Sequence, residues 1–511
     1  MDTNKKRVII ILVAILVIGT FLRFCKLGEV SFVADEFLDI NAAYGYAQTG
    51  EWQAWDFNRS EPAERINAAS DNRAWLYRIQ VATLFKYFPP TEAVARSVSA
   101  FWGIITIILI YFVATYFTGK RYIGLIAAFL FAVSIAGIEF DRKLRMYAMF
   151  FPIFLAFSWM LFRFFEEKYK GKIEFIKKIN SKFGLNLVYA IPVAALGLLS
   201  LHLHQLTANI AIIFAAYLIV NIIRKSKEKS LQKNKYSIIL TLSILIFVVI
   251  RVILTDLVNS LTGGLKFFND NYSYFSKIFI DYSHPLIATL FILLGIYYIY
   301  KVQEKKKEAI WLTVSFVVIF LMAVFVWRRN AGPQYIFFIQ SFEIILISSG
   351  IYLAMKFFKD NLSQYKKYAC CAPLILSLLI FPNYGYFFQE NNTYNQNSRS
   401  ENPKYREIFG YFKKKKSESD VLITRDFRNY YLSGEKVKIF DFGGELSKNK
   451  FSAEELQSII NEYPSGWIIY SDNDESYISK NAENYIESNM EKINAIPVRG
   501  KVSVYRWGNS K

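Results

Sequence analysis

Cysteine and histidine are scarce in this 511-residue chain, with three of each. Two of the cysteines, Cys370 and Cys371, are adjacent, which excludes a disulfide scaffold and a Cys-rich metal site. No phosphate-binding Gly loop, HExxH or paired CxxC occurs, and no internal repeat is apparent. The usual signatures of nucleotide-phosphate binding and zinc hydrolysis are therefore missing. What is abundant is apolar: 53% of residues are hydrophobic, and Phe and Tyr number 46 and 34. A length of 511 suggests about three soluble domains at ~150 residues each, but so apolar a composition argues against them. The 61 Lys+Arg exceed 42 Asp+Glu by 19, and where that excess lies decides whether it means nucleic acid or membrane.

It lies between apolar runs long enough to cross ~30 Å of hydrocarbon. Val8 to Phe24, behind Lys5-Lys6-Arg7, reads as a retained anchor, since no small-residue cleavage site follows. Further spans are expected near 95–117, 121–138, 144–165, 185–203, 205–224, 236–254, 285–300, 308–327, 334–357 and 367–388, eleven in all. The basic clusters at Lys5–Arg7, Lys120-Arg121, Arg163–Lys182, Arg224–Lys235, Lys301–Lys307 and Lys356–Lys367 then share one side. The positive-inside rule makes that side cytoplasmic. The excess is a topology signal, and no nucleic-acid reading survives it.

The expected fold class is thus a polytopic α-helical membrane protein with a large first external loop and a small C-terminal external α/β domain. Residues 1–388 form the membrane domain, 389–400 a polar linker and 401–511 the external domain. In the loop 25–94, periodicity at Glu36–Gln48 and Trp75–Phe88 predicts amphipathic helices along the membrane surface. In the tail, strand-like runs at Val421–Thr424, Val437–Phe440, Trp467–Tyr470 and Val502–Trp507 alternate with helical stretches 403–415 and 453–463.

Chemistry-bearing residues gather at the outward ends of the spans. Asp35-Glu36 follows the first span, and two adjacent carboxylates beside a membrane need solvation, pairing or a metal. Asp35 stands at the N-cap of the expected helix, where a carboxylate satisfies free N–H groups. Its functional reading is a base for an acceptor hydroxyl. Arg96, Arg142, Arg145, Arg328 and Arg329 lie outside against the positive-inside bias, and with Tyr147 they are candidate binders of a donor phosphate. No cofactor is fixed by the sequence. A divalent metal stays open, with Asp141, His202 and His204 as candidate ligands. A carboxylate to activate a hydroxyl, with cations for a departing lipid phosphate, is what sugar transfer from a polyprenyl-phosphate carrier requires. The alternatives are a lipid-linked saccharide transporter or flippase, or an inactive scaffold.

Five places in order along the chain also resemble a family. They are Phe21-Leu22-Arg23 with Asp35-Glu36, Asn72-Arg73-Ala74-Trp75-Leu76-Tyr77, Ala95-Arg96-Ser97-Val98-Ser99, Arg145-Met146-Tyr147-Ala148, and Tyr405-Arg406-Glu407 with Asp420-Val421-Leu422-Ile423. The ordered set is similar to the multi-spanning lipid-carrier-dependent glycosyltransferases of the C-type (GT-C) fold. Protein O-mannosyltransferases, lipid A aminoarabinose transferases and rhizobial lipopolysaccharide galacturonosyltransferases resemble it most. The resemblance implies inverting transfer on the non-cytoplasmic face from a polyprenyl-phosphate sugar to a glycan, lipid or protein acceptor. Asp35 would then activate the acceptor with Glu36 in support, and Arg145 and Tyr147 would belong to the donor-phosphate region. The chain departs from the family in lacking a His-Pro-Pro element before Leu76, and Lys143 stands where relatives carry Glu. Gln334-Tyr335 replaces a late Arg-Tyr pair, a charge that Arg328 or Arg329 would supply. A Trp-Trp-Asp-x-Gly motif is missing, which argues against an Asn-linked oligosaccharyltransferase.

Overall fold

The computed structural model describes residues 3–33, 35–63, 74–225, 231–262, 271–275, 283–327, 332–361, 368, 372–380, 388, 391–396, 403–442, 450–495, 498 and 501–508. Arg328 and Arg329, and most of the expected span 367–388, lie outside them. The chain divides into two compact units. The first holds 1–23, 100–141 and 147–384, and the second holds 24–99, 142–146 and 385–511.

The first unit is helical. Among the described residues eight helices are long and apolar enough to cross a membrane, or up to ten if each of two bent pairs is one span. Eleven spans were expected, and the difference has two sources. The stretch 367–388 is described only as a nine-residue helix, Ala372–Ile380. The expected spans 121–138 and 185–203 belong to bent pairs rather than uninterrupted helices. In the first pair, Arg121–Ala132 and Ile135–Asp141 meet at 62°. Ser134 makes the break, since its hydroxyl accepts from the Gly137 N–H at 3.2 Å and caps the second helix.

Two carbonyls at the end of the first helix of that pair are met by a charge. Arg23, wholly buried, donates to the Ala132 carbonyl at 3.0 Å, to the Phe131 carbonyl at 3.3 Å and to Asp141 Oδ2 at 2.7 Å. A guanidinium is tolerated there because helix-end carbonyls and a carboxylate replace its water. Gly103 leaves the space: a Cβ there would overlap the Asp141 carboxylate and press on the Arg23 guanidinium. Gly103→Ala is therefore expected to destabilise the membrane unit by about 1–3 kcal/mol through overpacking. Thermal unfolding of the purified protein would show it, and an unchanged midpoint would refute the packing argument.

Four basic loops meet at one end of this unit. Lys307 pairs with Glu166 at 2.5 Å, Lys305 donates to the Tyr116 carbonyl at 2.9 Å, and Lys235 donates to the Phe165 and Gly184 carbonyls. Glu166 also accepts from the hydroxyls of Tyr217 and Tyr236 at 3.0 and 2.9 Å. The lysines thus cap helix ends at the face where the basic clusters were expected to gather.

The second unit carries a five-stranded sheet in the order Ile439–Asp441, Val421–Thr424, Gly466–Ser471, Val502–Trp507, Glu491–Lys492. The first three strands run parallel and the last two pair antiparallel. Central strands buried at every residue, Val421–Thr424 and Gly466–Ser471, fit a sheet covered on both faces. One core gathers Val421, Ile423, Ile468 and Tyr470 with Leu456 and Ile486 of the helices Ala453–Glu462 and Lys480–Asn489. The small sheet domain expected from the tail is present, with Lys480–Asn489 as a helix that periodicity had not marked.

Within this same unit, the helices Glu36–Thr49 and Trp75–Phe85 pack on each other. They were expected on the membrane surface, and the first differs from that expectation. It buries eight of its fourteen residues, Glu36, Asp39 and Asn41 among them. Its Phe37 ring lies 5.4 Å from Tyr405, 6.4 Å from Phe427 and 5.8 Å from Tyr431, so protein rather than lipid receives its apolar side. Two of the polar residues it buries, Glu36 and Asp39, pair with arginines, and Asn41 donates to the Phe427 carbonyl at 2.8 Å.

One acid of the sheet domain titrates near neutrality. Burial and the neighbouring Asp441 carboxylate push the Asp426 carboxyl up from 3.8 to about 7. The folded state then binds more protons than the unfolded state, so stability from this group falls as pH rises from about 4 through 7. Asp426→Asn should remove that loss. Its melting temperature should exceed the parent's more at pH 8 than at pH 4, and equal differences would contradict the burial argument.

Candidate active site

The second unit brings Asp35, Glu36, Arg96 and Arg145 together, and the two adjacent carboxylates have different surroundings. Glu36, 2% exposed, accepts from Arg96 Nε at 2.8 Å and Nη2 at 2.7 Å. It also accepts the backbone N–H groups of Leu144 at 2.7 Å and Val33 at 3.1 Å. Arg96 completes its donor set on the carbonyls of Leu27 at 3.3 Å, Val30 at 2.7 Å and Ser31 at 3.0 Å. All five guanidinium N–H groups are used, so Arg96 has no donor left for a donor phosphate. Its expected role is corrected on that ground: it is the buried clamp that joins the first loop to the helix Glu92–Thr118.

Asp35 lies one residue earlier and is open. Its side chain is 60% exposed, and Arg145 Nη2 stands 2.8 Å from Oδ2. It is the N-cap residue of the helix Glu36–Thr49, yet its side chain makes no capping hydrogen bond. The capping expectation therefore fails, and the carboxylate faces a guanidinium instead. Arg145 is held from behind by Asp39, whose Oδ2 accepts from Nη1 at 2.7 Å. Asp39 in turn accepts from Arg78 Nε at 2.8 Å, and both are buried. The result is a series of alternating charge, Asp35, Arg145, Asp39, Arg78, whose exposure falls from 60% at Asp35 to 17% at Arg145 and 4% at Asp39. Ser99 holds the Arg145 backbone, donating to its carbonyl at 3.4 Å, and shares a 2.7 Å hydrogen bond with the Tyr77 hydroxyl.

Asp39 and Arg78 were absent from the sequence expectations. Asp39 follows Asp35 by four residues, one helical turn, which is a legible sign that the two share a face. Arg78 carried no such sign, because its partner is 39 residues away.

The remaining candidates have partners of their own. Arg142 donates to the carbonyls of Cys25 at 2.7 Å, Lys26 at 3.0 Å and Thr393 at 3.0 Å, and its guanidinium covers the Tyr394 ring at 4.2 Å. It holds the hairpin Asn391–Asn392 and Asn395–Gln396 in place, and this corrects its phosphate-binding expectation. Asp141 belongs to the first unit with Arg23. Tyr147, also in the first unit and buried, packs its ring 5.4 Å from His204. His204 Nδ1 accepts from the Leu206 N–H at 3.0 Å and caps the short helix Gln205–Ala208. His202 lies in the last turn of the helix Ala190–Leu203. Among the described residues no group of three or more His, Cys, Asp or Glu side chains is arranged to hold a metal. Asp141, His202 and His204 thus do not form the ligand set expected of them, since Asp141 is engaged by Arg23 and His204 by Leu206.

A multi-pass helical membrane unit and a small mixed sheet domain are the parts of the GT-C glycosyltransferase fold, and the chain has that fold. It is similar to the oligosaccharyltransferase AglB of Archaeoglobus fulgidus, in complex with an inhibitory peptide and a dolichol-phosphate. The TM-score is 0.61 at 9% identity, over 96% of this chain and 73% of that one. It is similar to ArnT of Cupriavidus metallidurans in the apo state, with a TM-score of 0.55 at 10% identity over 99% and 98% of the two chains. The undecaprenyl phosphate-bound form of ArnT gives 0.53 over the same shares at 10% identity. No family model and no curated protein matches the sequence.

Proposed function

We propose that the protein is a membrane glycosyltransferase that moves a sugar from a polyprenyl-phosphate carrier to an acceptor hydroxyl. Transfer takes place on the non-cytoplasmic face, with inversion. The observation that carries this reading is Asp35, an exposed carboxylate held against a cation that Asp39 and Arg78 keep in place. Similarity in fold to a dolichol-phosphate complex and an undecaprenyl-phosphate complex supports the donor class. In the proposed step the acceptor oxygen attacks the anomeric carbon and Asp35 takes its proton. The bond from that carbon to the phosphate oxygen breaks, and the carrier leaves as polyprenyl phosphate. One displacement inverts the anomeric centre. Arg145 stabilises the charge gathering on the leaving phosphate, and Glu36 with Arg96 fixes the backbone on which Asp35 stands. The gathered basic loops support placing the N-terminus in the cytoplasm and the sheet domain outside.

The test uses the purified full-length protein in proteoliposomes with undecaprenyl-phosphate-linked sugars and a membrane extract as acceptor. Release of undecaprenyl phosphate coupled to labelling of an acceptor is the expected result. Movement of the intact lipid-linked sugar across the bilayer, with no glycosidic bond broken, would instead establish a flippase.

A further inference from the structure

One helix of the membrane unit leaves much of its apolar side exposed, with Ile176 and Ile179 half-buried and its phenylalanines open. Glu174–Phe183 has ten residues, none of them buried. At 100° per residue, Phe175, Ile176, Ile179 and Phe183 fall within an arc of about 100°. Phe175 and Phe183 are 67% and 53% exposed, and Ile173, at the N-cap, is 58% exposed. Lys177, Lys178 and Lys182 occupy the rest of the surface, and Lys168, Lys170 and Lys172 stand in the preceding connection.

Its position is built rather than loose. The Tyr169 N–H donates to Asn180 Oδ1 at 3.1 Å, and the Ile173 N–H donates to the Tyr169 hydroxyl at 3.1 Å, which folds the connection back onto the helix. At the other end Gly184 closes the helix in the left-handed region with φ 69°, and Lys235 binds its carbonyl at 2.9 Å. The helix meets the following stretch Leu187–Leu203 at 104°. Leu187–Leu203 is apolar and presents Ile191 and Leu198 at 81% and 70% exposure, as a lipid-facing span does. A helix nearly perpendicular to a span lies near the plane of the membrane. One acid and three lysines in ten residues set it apart from the apolar stretch that follows.

We infer that Glu174–Phe183 is an in-plane helix docked on the anionic phospholipid surface of the leaflet beside the basic loops. Its four apolar side chains enter the acyl boundary, and its lysines meet lipid phosphates. Charge decides the occupant: six lysines on the helix and its connection complement an anionic headgroup layer, and the helix joins two membrane segments directly. This inference does not depend on the proposed sugar transfer.

The experiment uses the full-length protein in nanodiscs of phosphatidylcholine and phosphatidylglycerol. Phe175→Trp supplies a reporter, read as the difference from the parent. Lipid brominated near the headgroup should quench that signal strongly, whereas aqueous acrylamide should quench it weakly. Lipid mass spectrometry of the co-purified shell should show phosphatidylglycerol enriched at least twofold over the bulk ratio. The triple variant Lys177→Glu, Lys178→Glu, Lys182→Glu should abolish that enrichment. None of these side chains is buried, so the variant is expected to keep the parent's elution profile and melting temperature. Strong acrylamide quenching, or unchanged enrichment in the triple variant, would overturn the inference. The first outcome would leave the apolar stripe for a soluble protein partner.

Discussion

Asp35→Asn should abolish sugar transfer while leaving the protein inserted, monodisperse and as stable as the parent. The side chain is 60% exposed and makes no capping bond, so no part of the core depends on its charge. Its one ion pair is with Arg145, which keeps Asp39 as an anchor after the substitution. Exposed ion pairs contribute about 0–1 kcal/mol, and the asparagine can still accept a hydrogen bond. A positioned general base, by contrast, accounts for about 10²–10⁴ of rate. The measurement is label transferred from an undecaprenyl-phosphate sugar by parent and variant at matched protein. A variant that transfers at the parent's rate would falsify the role given to Asp35.

The neighbouring substitution should behave in the opposite way. Glu36→Ala leaves Arg96 buried with two of its five donors unmatched, and it orphans the Leu144 and Val33 N–H groups. Removing one partner of a buried pair costs about 3–5 kcal/mol, enough to threaten folding of the second unit. Low yield, aggregation or a sharply lower melting temperature is expected, with any activity loss following from misfolding. The double variant Glu36→Leu, Arg96→Met removes both charges at once and should recover much of what either single change loses. If Glu36→Ala melts like the parent yet loses transfer, Glu36 is a participant in the chemistry rather than a positioning residue.

The contrast between positions 35 and 36 shows how far residue types can be read without coordinates. An Asp-Glu pair at a membrane boundary is legible as a place where charge needs a partner. Which carboxylate is open and which is clamped depends on Arg96, sixty residues on, and on the Leu144 N–H, 108 residues on. The arginines expected on the outer side teach the same point. Arg96, Arg142 and Arg145 were all expected there against the positive-inside pattern, and in the chain they look alike. Arg96 and Arg142 spend their donors on carbonyls and a carboxylate inside the fold, and Arg145 stands beside the open acid. A guanidinium that holds a loop and one that meets a phosphate use the same donors, so composition does not separate them. The placement of Glu36–Thr49 on the membrane surface failed for a related reason. Glu36–Thr49 buries Glu36 and Asp39 because arginines wait there, whereas Glu174–Phe183, inside a stretch read as a basic loop, leaves its phenylalanines exposed.

Local sequence determined the membrane-embedded helices, the gathering of basic loops at one end and the strands of the small sheet domain. Each follows from the cost of placing apolar or charged side chains in water or lipid, a property of short stretches of chain. Tertiary structure alone decided that Arg23 serves helix carbonyls and Asp141, that Glu36 is neutralised, and that Asp39 anchors Arg145 beside an exposed Asp35. Those outcomes depend on desolvated pairs formed across large separations in sequence. The strength of such a pair is set by burial and geometry, which exist only once the chain has folded.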